Sequence, residues 1–308
     1  MHTRRSPLIL PRPLQERLEA AVQAFVSADK RFDADFAAPC GEHAFIAPDS
    51  VSWQVFKNPL SLFVGGVAAV ILELAEPRVR AGVWGQSTFR DDPLQRIRRT
   101  GLSAMMTVYG ARSHTEKMIS RVTAMHARVR GTTEDGRPYR ADDPELLIWV
   151  HATARFGFLE AYAAWVHPLD KIARSRYHHE GIETARLYGA HGAPATQEEQ
   201  ELLFMTMRDR LESSSVIFEF LDIVRSVKLL PHSMGGIQEL LVKAAIDILP
   251  EWVRERLELG EAWDLRPWQR LAVQRAGAAI DRIPLRSAPA AQACRRLGLP
   301  EDYLYLAR

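Results

Sequence analysis

This sequence of 308 residues has few cysteines, almost no surplus of either charge and no apolar run long enough to cross a membrane. Only Cys40 and Cys294 are present, so disulfide bonds do not hold the fold together, and thiolate zinc sites and thiol redox pairs are excluded. Lysine and arginine total 40, against 38 aspartates and glutamates. This balance argues against nucleic acid or an anionic membrane as a partner, because binding to either requires a surplus of positive charge.

Signals for export and for membrane spanning are weak as well. Arg4-Arg5 is similar to the start of a twin-arginine export signal, but Pro11 and Pro13 interrupt the apolar stretch that should follow. The longest apolar run, residues 60–72, is shorter than the roughly 20 residues that cross a bilayer. We therefore expect this run to form a buried core helix and the protein to be cytoplasmic, without a membrane span.

The motifs of several common enzyme classes are missing. Gly65-Gly66 lies inside the apolar run, where close helix packing is a simpler role than phosphate binding. The sequence also contains neither His-Glu-x-x-His nor Glu-x-x-His. Their absence argues against a zinc protease and against a carboxylate-bridged di-iron bundle.

The abundant signals mark the starts and ends of helices. Three helices are predicted to start where a capping side chain precedes a proline, at Asn58-Pro59, Asp92-Pro93 and Asp143-Pro144. Two more are predicted to start at capping boxes, in residues 113–116 and 196–199. Helix ends are predicted at Gly131, Gly189 and Gly260.

The only convincing non-helical element is a hairpin in residues 132–140, with Asp135-Gly136 at its turn. Downstream, apolar residues recur at helical spacing in six segments. These segments are 168–188, 197–211, 215–227, 237–249, 251–259 and 268–283. We find neither an internal repeat nor a linker. The sequence therefore predicts a single all-α domain over residues 1–308, with one small hairpin.

Two histidines are predicted on inward helix faces. In the helix predicted for residues 113–130, His126 lies beside the apolar stripe, and Arg130 follows one turn later on the same face. In the helix predicted for residues 144–165, His151 shares an apolar face. A single inward histidine is most often a core residue with a satisfied hydrogen bond, and this alternative stays open.

A basic face is predicted on the helix that follows Asp92-Pro93. Arg96, Arg99, Thr100 and Ser103 have the spacing i, i+3, i+4 and i+7, which places them on one side of that helix. One interpretation is a solvated stripe on a surface helix. The spacing alone favours this interpretation, but the apolar residues around the stripe leave open a second one, in which the basic face is covered as well.

These residues belong to an ordered set of short motifs. The set comprises Trp53 to Pro59, the apolar Gly-Gly helix ending Leu-Ala-Glu-Pro, Arg-x-x-Arg-Thr, Met-His-Ala-Arg-Val-Arg-Gly, Tyr-Arg-Ala-Asp-Asp-Pro and Trp-Val-His-Ala-Thr. Over about residues 51–165 the set resembles the family that unites latex-clearing rubber oxygenases with fungal MpaB-type oxygenases. The other helices match loosely, and the family core would cover about residues 45–285.

The resemblance implies an all-α, globin-like fold around haem b. In rubber oxygenases the axial iron ligand is a histidine of a His-Ala-x-x-Arg element, which His126 and Arg130 match. We therefore expect His126 to bind the iron and Arg130 to contact the cofactor. A neutral imidazole on an apolar face keeps a lone pair for iron, which agrees with this role. His151 belongs to a motif that many members share and is expected to line the cofactor pocket.

The resemblance also gives the basic face a role. Arg96 and Thr100 match the distal Arg-x-x-Lys-Thr element, and Arg99 replaces its lysine. These three are the predicted catalytic residues, which would bind haem propionates or stabilise negative charge on reduced oxygen. The distal lysine of rubber oxygenases can bind the iron, but arginine stays protonated, so we expect an open or water-bound distal position. Gln86-Ser87 is a further departure, since many relatives have His-Ser there.

We therefore predict a cytoplasmic haem b-dependent oxidoreductase or oxygenase that activates dioxygen or peroxide on a small apolar or secondary-metabolite substrate. The missing export signal argues against polyisoprene, which is an extracellular polymer. Two alternatives stay open: a haem-binding sensor or carrier without turnover, and a metal-free helical protein in which His126 is a core residue. A homodimer is compatible with the sequence.

Overall fold

Helices dominate the computed structural model, which describes residues 7–27, 35–86, 89–227 and 235–306. The helices are α1 (Arg12–Val26), α2 (Val51–Phe56), α3 (Pro59–Ala75), α4 (Pro77–Gln86), α5 (Pro93–Tyr109), α6 (Arg112–His126), α7 (Pro144–Trp165), α8 (Lys171–Glu180), α9 (Ile182–Leu187), α10 (Gln197–Met207), α11 (Ser215–Ser226), α12 (Gly235–Asp247), α13 (Glu251–Arg256), α14 (Pro267–Ile280) and α15 (Pro289–Arg296). Strands β1 (Arg130–Thr132) and β2 (Pro138–Arg140) form an antiparallel hairpin. The predicted all-α class with one small hairpin is confirmed. Arg4-Arg5 and Ser87 lie outside the described residues.

Helices α3 and α7 pack closely at the centre of the fold. A Cβ atom added to Gly65 would lie 2.7 Å from the carbonyl oxygen of Gly157, so only glycine permits this approach of the two backbones. Eight residues earlier on α7, the indole of Trp149 donates to the carbonyl of Leu72 at 3.2 Å. The two helices therefore run antiparallel, and the predicted packing role is confirmed for Gly65, whereas a Cβ atom on Gly66 would lie 4.0 Å from its nearest neighbour.

The predicted helix starts at prolines are confirmed. The side chains of Asn58, Asp92 and Asp143 each accept a hydrogen bond from a backbone N–H group in the first turn of α3, α5 and α7. Thr196 caps α10 in the same way. The Glu199 carboxylate closes that capping box one residue early, because it accepts from the amide of Ala195 rather than from that of Thr196.

The capping box predicted at residues 113–116 is wrong. Helix α6 begins at Arg112, and no side chain of its own first turn caps it. The amide and hydroxyl of Ser113 instead donate to the carboxylate of Glu42, at 2.6 and 2.9 Å. The hydroxyl of Thr115 donates to the carbonyl of Met106. A carboxylate from a distant loop therefore takes over the role that the sequence assigned to Glu116.

Of the three predicted helix ends, one is confirmed and two are wrong. Gly189 follows α9 with φ of +92°, as predicted, and Gly136 at the hairpin turn has φ of +86°. Gly131 instead lies in β1, because α6 ends at His126 and the chain then turns into the hairpin. Gly260 has φ of −78°, and the left-handed residue after α13 is Glu258, with φ of +59°.

The six downstream segments are helical, with two changes. Segment 168–188 divides into α8 and α9, and segment 197–211 ends in a short 3₁₀ turn after α10. Buried apolar side chains form one cluster centred on α3, α7, α11 and α12 and a second around α2, α5 and α15. Within the described residues no single helix is long and apolar enough to cross a membrane. Only α3 and Pro77–Gly85 together reach that length, and they bend by 111°.

Candidate functional site

A charged residue on the central helix α3 lies within electrostatic range of Arg96, one of the predicted site residues. Glu73 is in the last turn of α3, where its side chain is half-buried. Burial raises the pKa of Glu73 from 4.5 to about 7, and the positive charge of Arg96 opposes part of this rise. Near neutral pH this carboxyl group therefore exists in both its protonated and its charged form, as a group that exchanges protons does.

Arg96 connects this acid to the predicted iron ligand. It lies in the first turns of α5, where the cap formed by Asp92 fixes the start of the helix. The guanidinium is half-buried, and its pKa is lowered by burial, raised by the charge of Glu73 and lowered by that of Arg99. An arginine stays protonated even so. Arg96 therefore contributes a fixed positive charge that acts on both Glu73 and His126.

The other two residues of the predicted basic face differ in exposure. Arg99 is half-buried like Arg96, whereas Thr100 is exposed. The hydroxyl of Thr100 donates to the carbonyl of Arg96 at 3.0 Å, the bond that a threonine commonly forms within a helix. This bond uses its only proton, so the hydroxyl offers a ligand an acceptor.

His126 is the last residue of α6 and is half-buried, as the sequence predicts. Its Nδ1 atom is buried and has no hydrogen-bond partner among the described residues. Burial lowers the pKa of the imidazole, the charge of Arg96 lowers it further, and Asp142 opposes both. The ring is therefore neutral near pH 7, and one of its nitrogens carries a lone pair that a metal can accept.

The structure places Arg130 elsewhere than the sequence predicted. Helix α6 ends at His126, and the chain makes two tight turns before β1. Arg130 is the first residue of β1, where it is exposed and lies opposite Arg140 in the hairpin register. Arg130 therefore does not lie one helical turn from His126 on a common face. The backbone of Val129 accepts a bond from the amide of Ala141, which starts the hairpin one residue before Arg130 and prevents the helix from continuing.

His151 lies on α7 and is half-buried. Its Nε2 atom is buried without a partner among the described residues. Burial lowers the pKa of His151 to about 3, with further lowering by the charge of Arg155 and by His178. This imidazole is therefore neutral as well, but its electrostatic partners are different from those of His126.

Together, Glu73, Arg96 and His126 supply an exchangeable proton, a fixed positive charge and a neutral nitrogen donor. Among the described residues, no group of three or more histidine, cysteine, aspartate or glutamate side chains could hold a metal ion. A haem iron needs only one protein ligand, because the porphyrin supplies four nitrogens, so this arrangement is compatible with haem and with a single histidine.

Glu73 is not among the site residues that the sequence predicts. The available signal was an acid on a helix that is otherwise apolar from residue 60 to residue 72. An acid in an apolar helix is costly to bury without a partner, so such residues are candidates for function. What the sequence did not show is that Arg96 of α5 comes within electrostatic range of it.

Comparison with known proteins gives one match. The family described as "ER-bound oxygenase mpaB/B'/Rubber oxygenase, catalytic domain" matches residues 53–282, about three quarters of the chain. The match includes Glu73, Arg96, His126 and His151. No curated protein and no solved structure matches this chain.

Proposed function

The chain belongs to the family of mpaB-type and rubber oxygenase catalytic domains, and on this premise we propose that it is a haem b-dependent oxygenase. Its co-substrate would be dioxygen or peroxide, and its substrate a small apolar molecule. The observation that carries the proposal is the positive charge of Arg96, which acts both on Glu73, an acid of raised pKa, and on His126, a neutral imidazole whose buried nitrogen has no partner among the described residues.

The residues present fit haem. His126 offers a buried nitrogen that none of the described residues uses. A buried polar atom without a partner is costly, and binding to iron would remove that cost. When bound, haem supplies a redox-active iron that activates oxygen, and the protein supplies orientation and access.

Arg96 and Arg99 would serve the anionic groups of this site. Haem carries two carboxylates, and guanidinium groups bind carboxylates through charge-assisted hydrogen bonds. The half-buried positions of both arginines permit such contacts, whereas Arg130 is exposed. We therefore assign cofactor binding or charge stabilisation to Arg96 and Arg99, and no contact of this kind to Arg130.

Glu73 would move a proton. Its carboxyl oxygens lie in surroundings that bring its pKa to about 7, so it can accept a proton from a substrate or return one near neutral pH. The adjacent charge of Arg96 stabilises the carboxylate once the proton has left. Half-buried apolar side chains on α3, α6 and α7, namely Val70, Val122, Leu147 and Ala154, are compatible with an apolar substrate.

The test is an absorption spectrum of the full-length protein produced with a haem precursor. We expect a Soret band that disappears in His126→Ala and persists in the matched control His114→Ala, which changes the other histidine of α6 at the opposite end of the helix. A wild-type protein without a Soret band would overturn the haem proposal. A normal spectrum in His126→Ala would overturn the ligand assignment alone.

Oxygen consumption separates an oxygenase from a haem-binding carrier. With haem bound, the wild-type protein should consume dioxygen when a panel of small apolar compounds is supplied, and Glu73→Gln should consume it more slowly while its spectrum is unchanged. A haem-loaded protein that consumes no oxygen with any compound would favour the carrier.

A further inference from the structure

A cluster of buried polar side chains lies between α7 and α8, around Arg155. Four of its atoms are buried and have no hydrogen-bond partner among the described residues: Arg155 Nε, Tyr177 Oη, His178 Nδ1 and His151 Nε2. Buried polar atoms in folded proteins almost always have partners, so four such atoms in one cluster require an explanation.

Three of the four side chains are withdrawn from solvent. Arg155 is 7% exposed, Tyr177 is 0% exposed and His178 is 1% exposed. The guanidinium lies over the ring of Tyr177, with its carbon 3.4 Å from the ring centroid. A Cβ atom added to Gly181 would lie 3.0 Å from the same guanidinium, so the absence of a side chain there leaves room for it. The cluster is therefore closely packed around Arg155.

The positive charge of Arg155 has no direct counterion among the described residues. Its two terminal nitrogens approach the hydroxyl of Ser52 at 3.4 Å, which is long for a hydrogen bond. The nearest acid that influences it is Glu180, but the carboxylate of Glu180 already accepts bonds from the amides of Val51 and Ser52 and from the Ser52 hydroxyl. Arg176 also pairs with Glu180.

The unpartnered atoms indicate which kind of ligand would satisfy this cluster. Arg155 Nε and Tyr177 Oη both donate hydrogen bonds, and an imidazole donates from Nδ1 in one of its tautomers. Water could accept these bonds but would leave the charge of Arg155 uncompensated. An anion with two acceptor oxygens meets both requirements, and arginine binds carboxylates preferentially.

We propose that Arg155, Tyr177 and His178 bind a carboxylate group. The carboxylate has two sources, a small free carboxylate or a propionate of haem. The second source depends on the proposed function, whereas the first does not.

The primary test is thermal unfolding of the full-length, haem-free protein during titration with sodium formate, with sodium chloride at equal concentrations as reference. Ligand binding to the folded state raises the unfolding midpoint. We expect formate to raise it by about 3 °C more than chloride, with saturation. The Tyr177→Phe variant, which removes one proposed donor, should lose most of this response.

Tyr109→Phe is the matched control. Tyr109 is also 0% exposed, but its hydroxyl donates to the carbonyl of Trp53 at 2.8 Å. This variant should unfold at a lower temperature in every buffer and should keep the full response to formate. A wild-type protein that responds equally to formate and chloride, or a Tyr177→Phe variant with the wild-type response, would overturn the carboxylate site and leave water as the partner of these atoms.

A second arm identifies the source of the carboxylate. The protein is loaded either with haem b or with haem dimethyl ester, which has no free carboxylates, and the formate titration is repeated. If a propionate occupies the site, haem b abolishes the response to formate and the dimethyl ester leaves it. If both forms leave it, the site takes a free carboxylate. Failure of the protein to bind haem would contradict the proposed function, while the haem-free titration would still decide the carboxylate site.

Discussion

Two buried arginines of this protein have opposite surroundings. Arg296, on α15, is 1% exposed, and its three nitrogens donate to the backbone carbonyls of Glu42, Phe36 and Tyr109 at 2.7 to 2.8 Å. Arg155, on α7, is 7% exposed and lies over the ring of Tyr177, and its only hydrogen-bonding contacts among the described residues are long ones with one hydroxyl. A buried guanidinium whose three nitrogens all donate to backbone carbonyls connects chain segments, whereas one with an unpartnered nitrogen is available to a ligand.

The largest expected effect is on the free energy of unfolding, which replacement of Arg296 should lower much more than replacement of Arg155. Arg296→Met leaves three buried carbonyls without donors and should lower the free energy of unfolding by about 4 kcal/mol. Arg155→Met removes a charge without a counterion and should lower it by less than about 1 kcal/mol. Urea unfolding of the full-length protein in a buffer without carboxylates measures both values. Equal losses would contradict the contrast between a connecting arginine and a ligand-binding one.

Glu73 extends the comparison to a buried acid, which should make the free energy of unfolding depend on pH. Its pKa is about 7 in the folded protein and 4.5 ordinarily, so the folded state holds the proton more tightly. This contribution to stability is complete below pH 4.5 and is lost as the pH rises through 7. Relative to Glu73→Gln, the haem-free wild-type protein should therefore lose roughly 2–3 kcal/mol of unfolding free energy between pH 4.5 and pH 8.

The measurement is the difference in urea midpoint between wild type and Glu73→Gln across this pH range. Using the difference removes the contributions of other titrating groups, including His151, whose lowered pKa acts in the opposite direction. The exposed Glu116 serves as control, because Glu116→Gln should show no comparable trend. A constant difference between wild type and Glu73→Gln would mean that Glu73 is not perturbed by burial.

The smallest expected effect comes from removing a single buried hydroxyl, either that of Tyr109 or that of Tyr177. Without added carboxylate, Tyr109→Phe loses a buried hydrogen bond and should destabilise the fold by about 1 kcal/mol. Tyr177→Phe removes a hydroxyl that has no partner in the described part of the chain and should be neutral within about 0.5 kcal/mol. The same urea series measures both. A loss in Tyr177→Phe as large as that in Tyr109→Phe would show that the Tyr177 hydroxyl already has a partner, such as an internal water.

The parts of the fold that local chemistry decides were predictable from the sequence. Asn58, Asp92 and Asp143 cap their helices because capping requires only residues within one turn. The inward position of His126 followed from helical periodicity. The end of α6 did not, since the hairpin that terminates this helix depends on a bond between the backbones of residues 129 and 141. Arg130 was therefore misplaced.

The site residues that depend on packing between distant helices were not predictable. Glu73 acquires its raised pKa from burial among helices, and the positive charge of Arg96 of α5 opposes part of the rise. Arg155 is an ordinary arginine in the sequence, and only the packing of α8 over α7 shows that it is buried without a counterion. Sequence motifs located the iron ligand candidate through family resemblance, but the electrostatic surroundings of each charge required three-dimensional structure.

The carboxylate of Glu42, which caps the start of α6, shows that residues outside the family match stabilise the helix of the candidate ligand. Glu42 holds the first turn of the helix that ends at His126, and Arg296 in turn holds the backbone of Glu42. Both residues lie outside the stretch 53–282 that the family match covers. The part of the chain that similarity recognises is therefore smaller than the part that anchors His126, and a fragment trimmed to residues 53–282 would keep the candidate ligand while losing the anchor of its helix.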